Sequence, residues 1–150
     1  MSKYLGLREE HMDIFGTLVA GTSYTPGKAF TATDSYGTEI KGNILQRTAD
    51  DVALWRAKLA ITTDFASSGA ATLTVKVYGA KKLNDAGTAL DSPVTLYQSS
   101  AIALSALKKG AWLLDMVLPS GYNIYQIGLT PGSAAFTAGA VQGFVEPEFN

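Results

Sequence analysis

Cysteine is absent from the 150-residue chain, and histidine occurs once, at His11. Without thiols there can be no disulfide framework, thiolate zinc site or cysteine nucleophile. One imidazole leaves neither a polyhistidine metal site nor a set of proton shuttles, and no Gly-x-Ser-x-Gly elbow offers a serine nucleophile for it. Charge is scarce too, at 17% of residues against the usual ~25%. Twelve basic and 13 acidic side chains leave a net charge of -1, which is no electrostatic footprint for nucleic acid or an anionic membrane. No apolar run approaches the ~18 to 20 residues of a membrane helix. Residues 1–10 mix Lys3, Arg8, Glu9 and Glu10 with Leu5 and Leu7 and contain no apolar signal region. The expectation is a soluble chain made in the cytoplasm, with no cofactor, no nucleic-acid partner and no membrane partner.

Small neutral residues take the place of the missing charge: 21 Ala, 15 Thr and 15 Gly stand beside an ordinary 47% of hydrophobic residues. The length suits a single domain, 1–150, able to bury roughly two-thirds of its unfolded surface without a metal or disulfide staple. Residues 1–11 read as an N-terminal arm.

Period-two alternation in short runs, punctuated by Gly, Pro, Ser, Asn and Asp, dominates the pattern. Residues 54–63 place Trp55, Ala57, Leu59 and Ile61 on one face, with Arg56, Lys58 and Thr62 between them. Residues 72–78 set Leu73, Val75 and Val77 against Thr72, Thr74 and Lys76, and 66–70 read as a hairpin loop joining the two strands. Residues 110–118 place Trp112, Leu114, Met116 and Leu118 together, and 122–130 place Tyr125, Ile127 and Leu129 together, before Pro131-Gly132-Ser133 breaks the run. Runs at 12–20 (Met12, Ile14, Leu18) and 138–146 (Val141, Val145), with weaker ones at 40–46 and 94–99, bring the count to about eight. Residues 21–37 and 81–93 read as long connections. Short, evenly spaced strands without intervening helices indicate an all-β, antiparallel sandwich or barrel. Two segments admit a second reading. Residues 48–59 also fit a capped helix, although the alternation running on to Phe65 favours a strand, and 102–109 suit a helical turn or an extended connection.

Sites of chemistry are weak in this pattern. The glycine-bounded stretch 21–29 has five residues between Gly21 and Gly27, and Ala29 where a phosphate loop needs a hydroxyl, so it reads as an ordinary loop. His11 among Glu9, Glu10 and Asp13 reads as a solvated charge cluster. Asn84, Asp85 and Asp91 lack the ligand spacing of a calcium loop and suit Asx turns. Tyr24, Phe30 and Tyr36 recur through a Gly/Thr/Ser-rich connection, where aromatic rings either anchor a loop to its own sandwich or dock on a partner. Trp55 and Trp112 fall on apolar faces and read as core.

Three segments, residues 65–75 (FASSGAATLTV), 101–110 (AIALSALKKG) and 136–141 (FTAGAV), together resemble the cement, or decoration, proteins of tailed-phage capsids in order and spacing over about 54–146. The resemblance implies a jelly-roll sandwich on the exterior of the virion capsid. It would bind the major capsid protein and itself, as a homodimer or alternatively a homotrimer, and staple neighbouring capsid subunits without catalysis. Leu5, Leu7, Tyr24, Phe30 and Tyr36 are the candidate partner-binding residues. A carbohydrate-binding jelly-roll module of a phage receptor-binding apparatus is the alternative expectation.

Overall fold

Each alternating run has one apolar face to bury, and two antiparallel sheets facing one another can take such faces between them. The computed structural model describes residues 12–19, 23–46 and 54–148 of the chain. Their strands are, in order, β1 (Met12–Asp13), β2 (Gly16–Val19), β3 (Ser23–Pro26), β4 (Lys28–Ala29), β5 (Ile40–Lys41), β6 (Leu45–Gln46) and β7 (Leu54–Ala66). There follow β8 (Thr72–Ala80), β9 (Val94–Gln98), β10 (Ile102–Ala103), β11 (Trp112–Val117), β12 (Ile124–Gly132) and β13 (Ala138–Glu148), with one 3₁₀ turn at Leu104–Ala106.

Sheet 1 runs β1-β13-β7-β11, with β4 also on β13. Sheet 2 runs β10-β8-β12-β5, with β6 also on β12 and β9 also on β8. The molecule is an all-β sandwich whose core draws on both inner faces: Leu59, Ile61 and Val145 from sheet 1 meet Leu73, Val75, Val77, Ile127 and Leu129 from sheet 2, all buried. Tyr125 is buried with them and its hydroxyl donates to the Pro119 carbonyl at 2.5 Å, which meets the polar demand of an otherwise apolar ring.

Three of the four sheet edges are broken, and together with a two-stranded ribbon this takes the strands beyond the expected eight. Met12 and Asp13 pair with Val145 and Phe144, and Lys28 and Ala29 pair further along the same strand with Val141 and Ala140. Between these two pieces the chain leaves the sheet as the β2–β3 ribbon, and Gly27 returns it by donating its N–H to the Phe15 carbonyl at 3.0 Å. The run expected at 12–20 is therefore two strands, and the connection expected at 21–37 contains β3 and β4. Ile14 and Phe15, at the break, are both buried, so period two fails there for lack of an outer face.

Three other expectations need correction. Residues 66–70 join β7 to β8 but make no hairpin: β7 pairs with β11 and β13, β8 with β9, β10 and β12, so the loop carries the chain from one sheet to the other. Strand β12 does not stop at Pro131. Pro131 pairs with Leu73 and Gly132 with Thr72, and the break comes at Ser133, whose φ is +67°. Trp112 is not core, being 58% exposed. The register of β11 on β7 slips between Trp112 and Leu114, a bulge that buries both Leu113 and Leu114 and turns the indole outward beside Ala60. From 54 onward β7 is a strand, as the longer alternation indicates. Residues 102–109 combine both readings, with β10 followed by the 3₁₀ turn.

Candidate functional site

One end of the sandwich is fastened by an aromatic cluster and by bonds between the loops that cross there. Phe30, Phe65 and Phe136 meet there, with ring centroids 5.2 Å (30 to 65), 5.8 Å (30 to 136) and 4.8 Å (65 to 136) apart. Gly139, at φ +137°, lets the backbone pass against the Phe65 ring, which a Cβ would strike at 2.5 Å. The crossing loops are bonded to each other around this cluster. Phe65 N–H donates to Leu107 O at 3.0 Å, Thr137 N–H to Ala66 O at 2.8 Å, and Ser67 Oγ–H to Ala135 O at 2.8 Å. Asp64 accepts the Lys109 N–H at 2.6 Å.

The candidate partner-binding residues are dispersed by this arrangement. Leu5 and Leu7 lie outside the described residues, as does His11. Phe30 is corrected from surface anchor to core: its N–H donates to Gly139 O at 2.8 Å, which continues the edge pairing and turns the ring inward, leaving it 2% exposed. Tyr24 projects from the ribbon, nearly half exposed, and its hydroxyl donates to the Asp13 carboxylate. Burial of that hydroxyl, then the bond to and charge of Asp13, push the phenol up to about 12. Tyr36 is 60% exposed on a loop tied to sheet 2 by Gly37 N–H donating to Pro131 O at 2.7 Å. Tyr24 and Tyr36 are thus surface rings hung from different sheets.

The polar motifs resolve into structure. Lys28 is a strand residue whose ammonium pairs with Asp34 at 3.0 Å and lies 5.7 Å from the Phe30 ring centroid, so 21–29 has no phosphate-loop geometry in its described part. Asn84 Oδ1 accepts the N–H groups of Thr88 at 2.9 Å and Ala89 at 3.3 Å, the turn role expected of it. Among the described residues no three His, Cys, Asp or Glu side chains gather as a metal site.

A feature not anticipated from sequence lies on the outer face of sheet 2. Lys41, Tyr78, Leu90, Pro93 and Gln126 line a cleft of about 100 Å³. Tyr78 O–H donates to Glu39 Oε2 at 2.7 Å, and Gln126 Nε2–H donates to Gly42 O at 2.8 Å. Burial, then the bond to and charge of Glu39, raise Tyr78 to about 12. Organic ligands occupy sites of roughly 300 to 1,000 Å³, so a cleft this small suits a few waters. The sequence signal was Gln126 itself, a polar residue between Tyr125 and Ile127. Three further exposed side chains, Trp112, Val94 and Tyr97, stand on β11 and β9. No protein-family model and no curated protein matches this chain.

Proposed function

We propose that the chain is a virion structural protein that binds the outer surface of an icosahedral phage capsid and cements neighbouring major capsid protein subunits. The observation that carries this reading is spatial. The three segments that resemble cement proteins, far apart in sequence, converge on one end of the sandwich through the Phe65–Phe136 contact and the Phe65–Leu107 and Thr137–Ala66 bonds.

Strand order supports the jelly-roll form of the reading. With β1 and β4 taken as one broken edge strand, and likewise β5 with β6 and β9 with β10, the sheets run first-eighth-third-sixth and second-seventh-fourth-fifth. That is the order of two interlocked Greek keys, the double-sheet arrangement common in capsid and lectin domains. Attachment through apolar burial and backbone bonding fits a net charge of -1 better than long-range attraction does. Particles lacking the protein are expected to assemble yet rupture sooner under heat, chelation or internal DNA pressure, since a staple that binds only the intact shell favours it by mass action. Equal robustness of depleted and complete particles would refute cementing. Deleting residues 2–11 should lower occupancy on the particle while the domain stays folded, and occupancy of the intact protein should barely change with salt.

Trp112 favours a second reading, the carbohydrate-binding module. The bulge in β11 sets its indole on the outer face of sheet 1 beside Ala60, whose other strand neighbour is the exposed Gln142, a flat aromatic platform with a polar group nearby. Glycan-array binding lost in Trp112→Ala would support it, and an array with no signal would leave the cement reading alone.

A further inference from the structure

Among the described residues, β9 is the terminal strand of sheet 2 along most of β8, paired on one side only. Its main-chain donors and acceptors on the other side form an open template. Several other edge strands carry charge, with Asp115 in β11, Asp13 and Lys28 in β1 and β4, and Lys41 in β5, while the two-residue β6 and β10 carry none. Strand β9, Val94-Thr95-Leu96-Tyr97-Gln98, has none, and no charged residue occurs between Asp91 and Lys108. Val94 is 48% and Tyr97 40% exposed, large apolar surface to leave in water on a bare edge. The slip in register opposite Val77 and Tyr78 makes Leu96 the inserted residue and packs it against the core, leaving Val94 and Tyr97 outside. Beyond β10 the same flank is closed by the chain itself: Leu107 is fully buried, and Gly110 N–H donates to Ile61 O at 2.9 Å as the chain crosses to sheet 1.

We propose that β9 pairs antiparallel with β9 of a second copy of the chain about a two-fold axis, joining two copies of sheet 2 edge to edge. Two-fold pairing places every side chain of the strand opposite or diagonal to residues of the same strand, so any charge would face its like. Neutrality throughout Val94–Gln98 removes that penalty. Charge steering, one common way of selecting a partner of different sequence, has nothing to act on at this edge. Val94 and Tyr97 supply the buried anchors, tyrosine being a residue that concentrates binding energy at interfaces.

The pairing is independent of any shell and is read on the purified chain by sedimentation over a concentration series. The wild-type protein should sediment as a dimer. Tyr97→Lys, and separately the exposed Thr95→Lys, should weaken dimerisation at least about tenfold by setting like charges across the axis, with the far-UV spectrum unchanged. A mixture of Tyr97→Lys with Tyr97→Glu should form a mixed dimer that neither variant forms alone. A monomer at every concentration, a trimer, or a dimer untouched by both lysine variants would overturn the proposal. Monomers in which β9 binds only a different polypeptide would assign the edge to that partner and overturn it equally.

Discussion

Strands β7 and β12 hold equivalent central places in their two sheets but treat their outer faces differently. In β7 burial alternates: Trp55, Ala57, Leu59 and Ile61 are buried, while Arg56, Lys58 and Ala60 are partly open to water. In β12 six successive residues, Ile124 to Leu129, are buried. The cause lies in what covers each sheet. Sheet 2 is roofed by the connection between β8 and β9, where Leu90 joins Ala80 and Ile124 in a small second core, and by the turn before β6, where Ile44 packs against that core. Among the described residues no such cover lies over sheet 1, whose outer face is partly open to water and carries charge, with Arg56 paired to Asp115 at 2.8 Å. A roofed face must meet its polar groups from within the protein, as Gln126 does with Gly42; a bare face leaves that task to water.

The largest effects should come from the shared inner faces. Leu73→Asp and Leu59→Asp, at positions with no exposure, should abolish soluble folding, because a buried unpaired charge costs several kcal/mol against a total stability of roughly 5 to 15. Trp112→Asp on the bare face should remain folded, with a native far-UV spectrum. Unfolding of both kinds of variant would place Trp112 back in the core. Next in size is Gln126→Leu, which orphans the Gly42 carbonyl under the roof and should cost about 1 to 3 kcal/mol, a drop of several degrees in melting temperature. Lys58→Gln, the exchange on the bare face, should change stability by less than about 0.5 kcal/mol in a denaturant titration. If the two exchanges cost the same, the roof does not matter.

Alkaline pH tests the roof differently. The Tyr78 phenol is raised above its ordinary 10.0, so its contribution is fully present below pH 10 and is lost as pH climbs through about 12. Wild-type stability should therefore fall between those limits, and Tyr78→Phe should fall less steeply while starting lower at neutral pH. Phenolate absorbance should show Tyr24 and Tyr78 among the last of the tyrosines to ionise. The smallest effect belongs to the bare face. Asp115→Asn should cost at most about 1 kcal/mol, shrinking further in high salt, because the ion pair it breaks stays accessible to water. A larger loss would mean that sheet 1 is covered too.

Much of the fold was legible because period two is written wherever one face is dry and the other wet. The runs through 54–63, 72–78 and the odd residues of 122–130 show it: Trp55, Ala57, Leu59 and Ile61, Leu73, Val75 and Val77, and Tyr125, Ile127 and Leu129 are all buried. Legibility failed where a third contact intervened. A bulge displaced Trp112, the edge pairing drew Phe30 inward against Phe65, and loop 66–70 crossed between sheets although its composition suits a hairpin equally well. Of the candidate anchors, Tyr24 and Tyr36 were recognisable as loop aromatics and are exposed. The exposed apolar side chains of β9 were hidden, since a strand sequence carries no mark of whether both its sides are bonded.

By itself the sequence determined the class of structure and bounded its chemistry. Alternation needs only neighbouring residues to be expressed, and the absence of cysteine, with a single histidine, is independent of conformation. Tertiary structure alone decided which strands neighbour one another, which face lies under a roof, and which edge stays open. Those outcomes depend on contacts between residues far apart in the chain, such as Phe65 with Phe136 and Gln126 with Gly42, whose energy exists only once the intervening loops have closed.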